Sequence, residues 1–519
     1  MTTADISDLV HQLDSPDPRQ RRAAGDALLA IGADAVPALT TTLTSGAAEA
    51  RKAAAFVLGA LRSPDPEALA ALEDAARDDG EPKVRKNAAV ALGRIGAAAS
   101  AEALAQALRQ EAIDWVRPSL VLALGAVGGE AALATLRAYT PADEAEAEAL
   151  HKALDRLAPR PRDAAWMPEG AARLRLLLET PIGLESVARD EARSHGIRLG
   201  DEVVPGLLRC PPGTEPDQLL PALRCAYGPL IEVAGGPPLP TNAVALAGSL
   251  AQLIAGSDAL AQIRSWLRTG DGTIRYRFSL RFGVRREELR ELLRAVRAAC
   301  EPLGLADSPS NYDIELLADT DEHGSRLLVR PSFMPDERFA YRLRDVGASI
   351  DPVVGACLAR LARAFPRAQT FDPTCGSGTL LIERALLDPG VELAGLDISP
   401  TANDAAEANI AAAGLGQRIA LDIGDAADLR NWPHCDEVLA NLPFGLRTRG
   451  RDELPYLYDA IAANLADSLR PGGRAVLYTS SLGLLDRSLD AVRDRLRVRR
   501  HLRVRSGGIV VGVWIVESI

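Results

Sequence analysis

Aromatic residues are scarce in this chain, at 4% of its 519 positions, and there are only three methionines. With so few large rings, the core has to be filled by aliphatic side chains at close range, which favours helices meeting through alanine and glycine. The six cysteines, Cys210, Cys225, Cys300, Cys357, Cys375 and Cys435, form no CxxC pair. That spacing argues against a zinc cluster or disulfide framework and fits a reducing cytoplasm. The six histidines show no HExxH or other ligand spacing, so no metal site is expected. No run approaches eighteen uncharged apolar residues, which excludes a membrane span. The opening MTTADISDLVHQLDS has neither the basic nor the apolar segment of a secretory signal. A formal net charge of -11 argues against the whole chain being a nucleic-acid surface, although a single region can differ from the sum.

The composition is that of a folded chain, 47% hydrophobic and 25% charged, and its length calls for about two to four domains. Residues 1–160 repeat. RRAAGDALLAIG from Arg21, ARKAAAFVLGAL from Ala50, VRKNAAVALGRIG from Val84 and VRPSLVLALGAVG from Val116 align, with Arg21, Arg51, Arg85 and Arg117 spaced by 30, 34 and 32 residues. A fainter copy, AEALHKALDRLA, follows from Ala147. One helical pair cannot bury its apolar face alone, so the pairs are expected to stack as a solenoid. The segment resembles HEAT repeats of the PBS-lyase type. Its 17 Lys+Arg stand against 23 Asp+Glu, which points to docking of a protein rather than a clamp on RNA.

APRPRDAAWMPEG (158–170) reads as a linker. Residues 170–341 then read as two small α+β units. The first runs from LRLLLET (174–180) through PIGLESVARDEARSHGI in a ferredoxin-like rhythm of strand, helix and strand. The second, over 243–341, is rich in arginine. Arg275, Arg277 and Arg281 share one face of its strand TIRYRFSLRF, where contact with phosphates and an ordinary solvated face are equal readings.

The last part, 342–519, carries the chemistry. TFDPTCGSGTLLIERALL (370–387) reads as a strand, a glycine-rich turn and a helix, the place where ligands bind in a doubly wound sheet. A second strand, VELAGLDIS, ends at Asp397, 19 residues beyond Gly378, a spacing that suits an acid holding ribose hydroxyls. The GxGxxG dinucleotide fingerprint would need glycine at 381, where Leu381 stands. DPTCGSGT followed by LDIS instead resembles motif I of class I S-adenosylmethionine-dependent methyltransferases, on a Rossmann-like α/β fold. That resemblance implies S-adenosylmethionine as cofactor, held by Asp372, Thr374, Gly376, Gly378, Asp397, Ile398, Asp425 and Ala426. TANDAAEANIAAAGL (401–415) supplies the AxxNxxxAG helix of such enzymes through Asn409 and Gly414.

CDEVLANLPFG (435–445) is a strand running into Asn441, Leu442, Pro443 and Phe444. The lone pair of an exocyclic amine is delocalised into its ring. Acceptors for the amine hydrogens, the Asn441 side-chain carbonyl and the Leu442 backbone carbonyl, favour a pyramidal, nucleophilic nitrogen. Phe444 offers a face for the base, and Pro443 fixes the backbone. The tetrad is similar to the (D/N/S)PP(F/Y/W) motif of amino-methyltransferases, with Leu442 replacing the first proline. NLPFG, the lead-in FAYRLRDVGASIDPVVGACLARLA (339–362) with Ser349, and the arginine-rich unit together resemble THUMP-containing tRNA guanine methyltransferases. The implied activity is transfer of a methyl group to the guanine exocyclic amine of RNA, tRNA before rRNA. Arg447, Arg449 and Arg451 beyond the tetrad are candidate RNA contacts, and for the basic stripe Arg493–Arg505 an RNA contact and a plain solubilising edge strand are equal readings. Methylation of adenine or of a protein amide, and a non-catalytic scaffold carrying a relic fold, are the competing readings.

Overall fold

The computed structural model describes residues 3–157, 164–167, 170, 174–285, 287–334, 336–346, 349–362, 367–444, 454–506 and 508–519. Two compact units emerge. One joins Met1–Asp163 to Thr269–Phe278 and Gly304–Ile314, and the other comprises Ala164–Arg268, Ser279–Leu303 and Glu315–Ile519.

In the first unit the repeat motif becomes a stack of helix pairs. Its first helices are Pro18–Ile31, Ala48–Leu61, Pro82–Ile95 and Arg117–Val127, and its second helices are Val36–Ser45, Pro66–Asp78, Ala101–Gln110 and Gly129–Ala138. The faint fifth copy is the helix Glu144–Leu157. The prolines fall in the first turn, where a missing N–H costs nothing. The recurring glycine lets neighbouring first helices approach. A Cβ on Gly59 would lie 2.6 Å from the Ala91 Cα, and one on Gly125 2.6 Å from the Ala153 Cα. The recurring arginine is explained too. Arg51 grips Asp79 at 2.7 and 2.8 Å, Arg85 grips Glu111 at 2.7 and 2.9 Å, and Arg117 reaches Glu146 at 3.2 Å. Each arginine ties its helix to a carboxylate lying toward the next repeat. The run Pro18–Ser45 is long and apolar enough to pass for a membrane span by composition. It is broken at Gly32–Ala35, and Leu28, Leu39 and Leu43 are buried in the repeat core.

The same unit holds a parallel pairing of Ile274–Tyr276 with Leu305–Asp307. Asp155, on the last repeat helix, accepts from the Ser308 hydroxyl, from the Ser310 N–H at 2.6 Å and from the Asn311 N–H at 3.0 Å. Part of the arginine-rich segment therefore packs with the repeats, a long-range pairing that local sequence does not announce.

In the second unit, antiparallel strands run in the order Glu202–Val204, Leu207–Arg209, Arg175–Glu179, Gly228–Gly236 and Gly324–Pro331. The two small units expected from sequence thus share one sheet, because Gly228–Gly236 pairs with Gly324–Pro331. The helices Ala243–Ala255 and Leu289–Cys300 pack on each other, their apolar faces led by Leu250, Leu292 and Val296.

The second sheet of this unit has seven strands in the order Ile419–Ile423, Glu392–Asp397, Gln369–Asp372, Cys435–Asn441, Leu469–Thr479, Ile509–Ser518, Leu496–Ser506. The first five are parallel neighbours, and the closing hairpin is antiparallel, as its sequence predicts. Arg384 and Glu437, both fully buried, pair at 2.7 and 3.0 Å between a helix and the central strand.

Backbone and side-chain contacts join the sheets. The Ile182 carbonyl accepts the Arg505 N–H at 3.1 Å on the edge strand. Gly183, at φ +97°, lies so close to the Arg503 backbone that any Cβ would overlap its carbonyl. Glu185 fixes that turn, accepting the Gly183 N–H at 2.9 Å and the Gly206 N–H at 3.0 Å. The PIGLE motif is thus a fitted plug that also caps part of an open strand edge. Deeper in, Arg224 grips the buried Glu383 with two 2.7 Å bonds, and the Tyr341 hydroxyl donates to the same carboxylate at 2.7 Å.

Candidate functional site

The site forms where the strands Gln369–Asp372, Glu392–Asp397 and Cys435–Asn441 end side by side. The chain after Asp372 turns sharply because Gly376 and Gly378 take φ of +53° and +78°, conformations that side chains rarely adopt. A helix starts at Thr379, so the backbone N–H groups of this turn gather at a helix N-terminus. Gly395, on the neighbouring strand, is equally fixed, since a Cβ there would lie 2.6 Å from Leu381 Cδ1.

Asp397 anchors the turn. Its Oδ2 accepts the Gly376 N–H at 2.9 Å and its Oδ1 the Ser399 N–H at 2.9 Å, which leaves further lone pairs on both oxygens. Asp372 is buried, with Oδ1 accepting the Thr374 N–H at 2.9 Å. Its Oδ2 has no hydrogen-bond partner among the described residues. Burial, with Asp397 adding repulsion, pushes this carboxyl up to about 8. Ile398 presents its side chain to solvent beside Asp397. Asp425 accepts the Ala427 N–H at 2.9 Å, and the Ala426 carbonyl takes the Trp432 indole N–H at 2.9 Å and the Asn464 amide at 3.0 Å.

Asn441 closes the fourth strand of the motif series. Its main-chain carbonyl accepts from the Thr374 hydroxyl at 3.2 Å, which links the glycine turn to the tetrad. The Leu442 N–H donates to the Tyr478 carbonyl at 2.9 Å, and the Tyr458 hydroxyl donates to the Pro443 carbonyl at 2.9 Å. Tyr458 is itself held by Thr479 at 2.6 Å. Phe444 is half-buried, its ring 6.1 Å from that of Tyr478. The tetrad is therefore fixed backbone carrying a partly open ring. Gly445 and Arg447, Arg449 and Arg451 lie outside the described residues.

The lead-in lies over the turn. Val346 Cγ2 would be 3.6 Å from a Cβ on Gly376, and the Ser349 hydroxyl is 3.1 Å from that of Ser377. Asn409 is the clamp. Its Oδ1 accepts from Leu343 N and Arg344 N at 2.9 and 3.0 Å, and its Nδ2 donates to the carbonyls of Arg344 and Ser377 at 2.8 and 3.0 Å. Sequence pattern picked out Asn409 without its role. Tyr458 and Thr479 had no sequence signal, since each looks like an ordinary core residue.

The strand arginines, for which phosphate contact and a solvated face are equal readings of the sequence, have partners within the protein. Arg281 pairs with Glu179 at 2.7 Å, inside a cluster where Arg330 also grips Glu179 at 2.6 Å. Arg275 pairs with Asp271 at 2.5 Å, and the Arg277 guanidinium lies 4.6 Å from the Tyr312 ring centre. By contrast, Arg497, Arg500, Arg503 and Arg505 on the edge strand are exposed, with no carboxylate partner among the described residues.

A parallel sheet of this order, closed by an antiparallel hairpin and carrying a glycine turn beside an acid-ended second strand, defines a methyltransferase fold. Residues 340–511 match the RMKL-like methyltransferase domain, and residues 6–88 and 75–155 match HEAT repeats. The chain is 34% identical over 225 residues to the tRNA (guanine(6)-N2)-methyltransferase of Thermus thermophilus, an alignment spanning 43% of this chain and 64% of that protein. It is 32% identical over 135 residues to the U6 snRNA (guanine-N(2))-methyltransferase THUMPD2 of Mus musculus, spanning 26% of this chain and 25% of that one. The crystal structure of TrmN from Thermus thermophilus superposes with a TM-score of 0.52 at 25% identity, covering 67% of this chain and 100% of that structure. The chain thus spans less than two thirds of the length of these two sequence relatives.

Proposed function

We propose that this protein transfers a methyl group from S-adenosylmethionine to the exocyclic N2 amine of guanine in RNA, with tRNA the favoured substrate. The observation that carries this reading is the Thr374–Asn441 hydrogen bond, which sets an amine-recognition tetrad directly against the glycine turn. The residues fit the cofactor. The turn gives close backbone approach, Asp397 is oriented with lone pairs remaining for ribose hydroxyls, and Asp372 offers a buried oxygen. Ile398, Asp425 and Ala426 stand at the next strand ends, where the adenine would be held, and Thr374, Gly376 and Gly378 form the cradle. When bound, the cofactor supplies an electrophilic methyl group on a sulfonium.

The chain's own residues do the rest. Asn441 Oδ1 and the Leu442 carbonyl accept the two hydrogens of the guanine amine, drawing the nitrogen lone pair out of conjugation. Pro443, anchored by Tyr458, keeps those acceptors from moving, so little reorganisation accompanies the developing charge. Phe444 stacks on the extruded base. Residues 170–341 are assigned as the ferredoxin-like and THUMP-like RNA-binding region, and 1–160 as the appended repeat domain. A cytoplasmic home belongs to the same reading. Both sequence relatives named above act on the guanine N2 amine and differ in the RNA, which supports the base more strongly than the substrate. Nucleoside mass spectrometry of tRNA from a deletion strain tests the proposal. Loss of N2-methylguanosine is expected, and an unchanged nucleoside profile in every RNA fraction would contradict it.

A further inference from the structure

Charge in the repeat unit is sorted by layer. The first helices, Pro18–Ile31, Ala48–Leu61, Pro82–Ile95 and Arg117–Val127, with the fifth copy Glu144–Leu157, carry twelve cations and six carboxylates, four of the six on that last helix. The second helices, Val36–Ser45, Pro66–Asp78, Ala101–Gln110 and Gly129–Ala138, carry three cations and six carboxylates. The acidic total of the segment hides this division. All four lysines of the chain lie in the repeats, and Lys52, Lys83 and Lys86 are on first helices.

Large rings stand among these cations. Phe56 is 49% exposed and Trp115 50%, in a chain where aromatics are rare. Arg94 lies 5.1 Å from the Phe56 ring centre, and Lys86 lies 5.7 Å from that of Trp115. Neither Lys86 nor Arg94 has a carboxylate partner among the described residues. Half-exposed rings flanked by unneutralised cations give a surface that stacks bases and holds phosphates together.

We propose that the first-helix layer of the repeat array binds an unpaired segment of RNA, with bases on Trp115 and Phe56 and phosphates on Lys83, Lys86 and Arg94. The inference rests on the chain acting on RNA, but it concerns a surface remote in sequence from the methyl-transfer residues. A protein partner would need an acidic, apolar segment, and that is the alternative the experiment separates.

The test is fluorescence anisotropy of the full-length chain with a labelled single-stranded RNA of about twelve nucleotides, a length within the span of known single-strand sites, over a salt series without cofactor. Trp115→Ala is expected to weaken binding about tenfold with the salt slope kept, and Trp115→Phe to retain most of the affinity. Lys86→Gln with Arg94→Gln is expected to flatten the logarithmic salt slope by about 0.7 per lost contact. As a measurement free of folding effects in variants, RNA should quench the part of wild-type tryptophan fluorescence that Trp115→Phe removes. Unchanged affinity, slope and Trp115 emission would overturn the proposal and leave the face to a protein. Calorimetry with S-adenosylmethionine reads the methyl-transfer site in the same protein, so failure of that site and failure of this one are distinguished.

Discussion

The hydroxyl of Thr374, in the glycine turn, donates at 3.2 Å to the main-chain carbonyl of Asn441, 67 residues later at the end of its strand. The turn that would hold the cofactor and the tetrad that would hold the base are therefore parts of one hydrogen-bonded frame. Thr374→Val keeps the shape and removes the donor. It should lower the single-turnover methyl-transfer rate about fivefold, in line with one hydrogen bond of about 1 kcal/mol, and Thr374→Ser should restore it. Equal rates for the valine and serine variants would show that the link is not used.

Asp397 serves both the Gly376 N–H and the cofactor in this account. Asp397→Ala should weaken S-adenosylmethionine binding measured by calorimetry by roughly 1.5–3 kcal/mol, the worth of charge-assisted hydrogen bonds. Unchanged affinity would remove Asp397 from the site.

Asp372 makes stability depend on pH. Its carboxyl titrates near 3.8 when unfolded and is pushed up to about 8 by burial in the fold. Between those values the folded chain holds a proton that the unfolded chain has released, so this group's contribution to stability falls as pH rises from about 4 to about 8. Asp372→Asn cannot titrate. In cofactor-free protein it should flatten the fall of the melting midpoint between pH 5 and pH 8, and an identical pH profile would contradict the assignment.

Arg281, whose strand parity leaves phosphate contact an even reading, is a structural ion. Arg281→Ala should lower the melting midpoint, because it removes one of the two cations that the buried Glu179 carboxylate holds. It should leave the salt dependence of RNA binding unchanged. A flatter salt slope in that variant would return Arg281 to the RNA surface.

What the sequence made legible was local. The glycine turn and NLPFG are short runs of neighbouring residues, the repeat and the strand-end acids recur at fixed spacings, and each lies where its pattern implies. What it hid was long-range. Nothing in the parity of TIRYRFSLRF reveals that Glu179, 102 residues away, neutralises Arg281. Nothing in a summed charge reveals that the repeats sort their cations onto one layer. The merging of two expected units into one sheet depends on Gly228–Gly236 pairing with a strand about a hundred residues later, a register that alternation alone does not select.

The central claim is that Asn441 accepts from the guanine amine during transfer. Its most direct test is the single-turnover methyl-transfer rate of Asn441→Ala with saturating RNA and cofactor. A loss on the order of 100- to 1000-fold is predicted, with S-adenosylmethionine affinity near wild type and a milder loss in Asn441→Asp, whose carboxylate still accepts. A rate in Asn441→Ala above about a tenth of wild type, far short of that loss, would contradict the account.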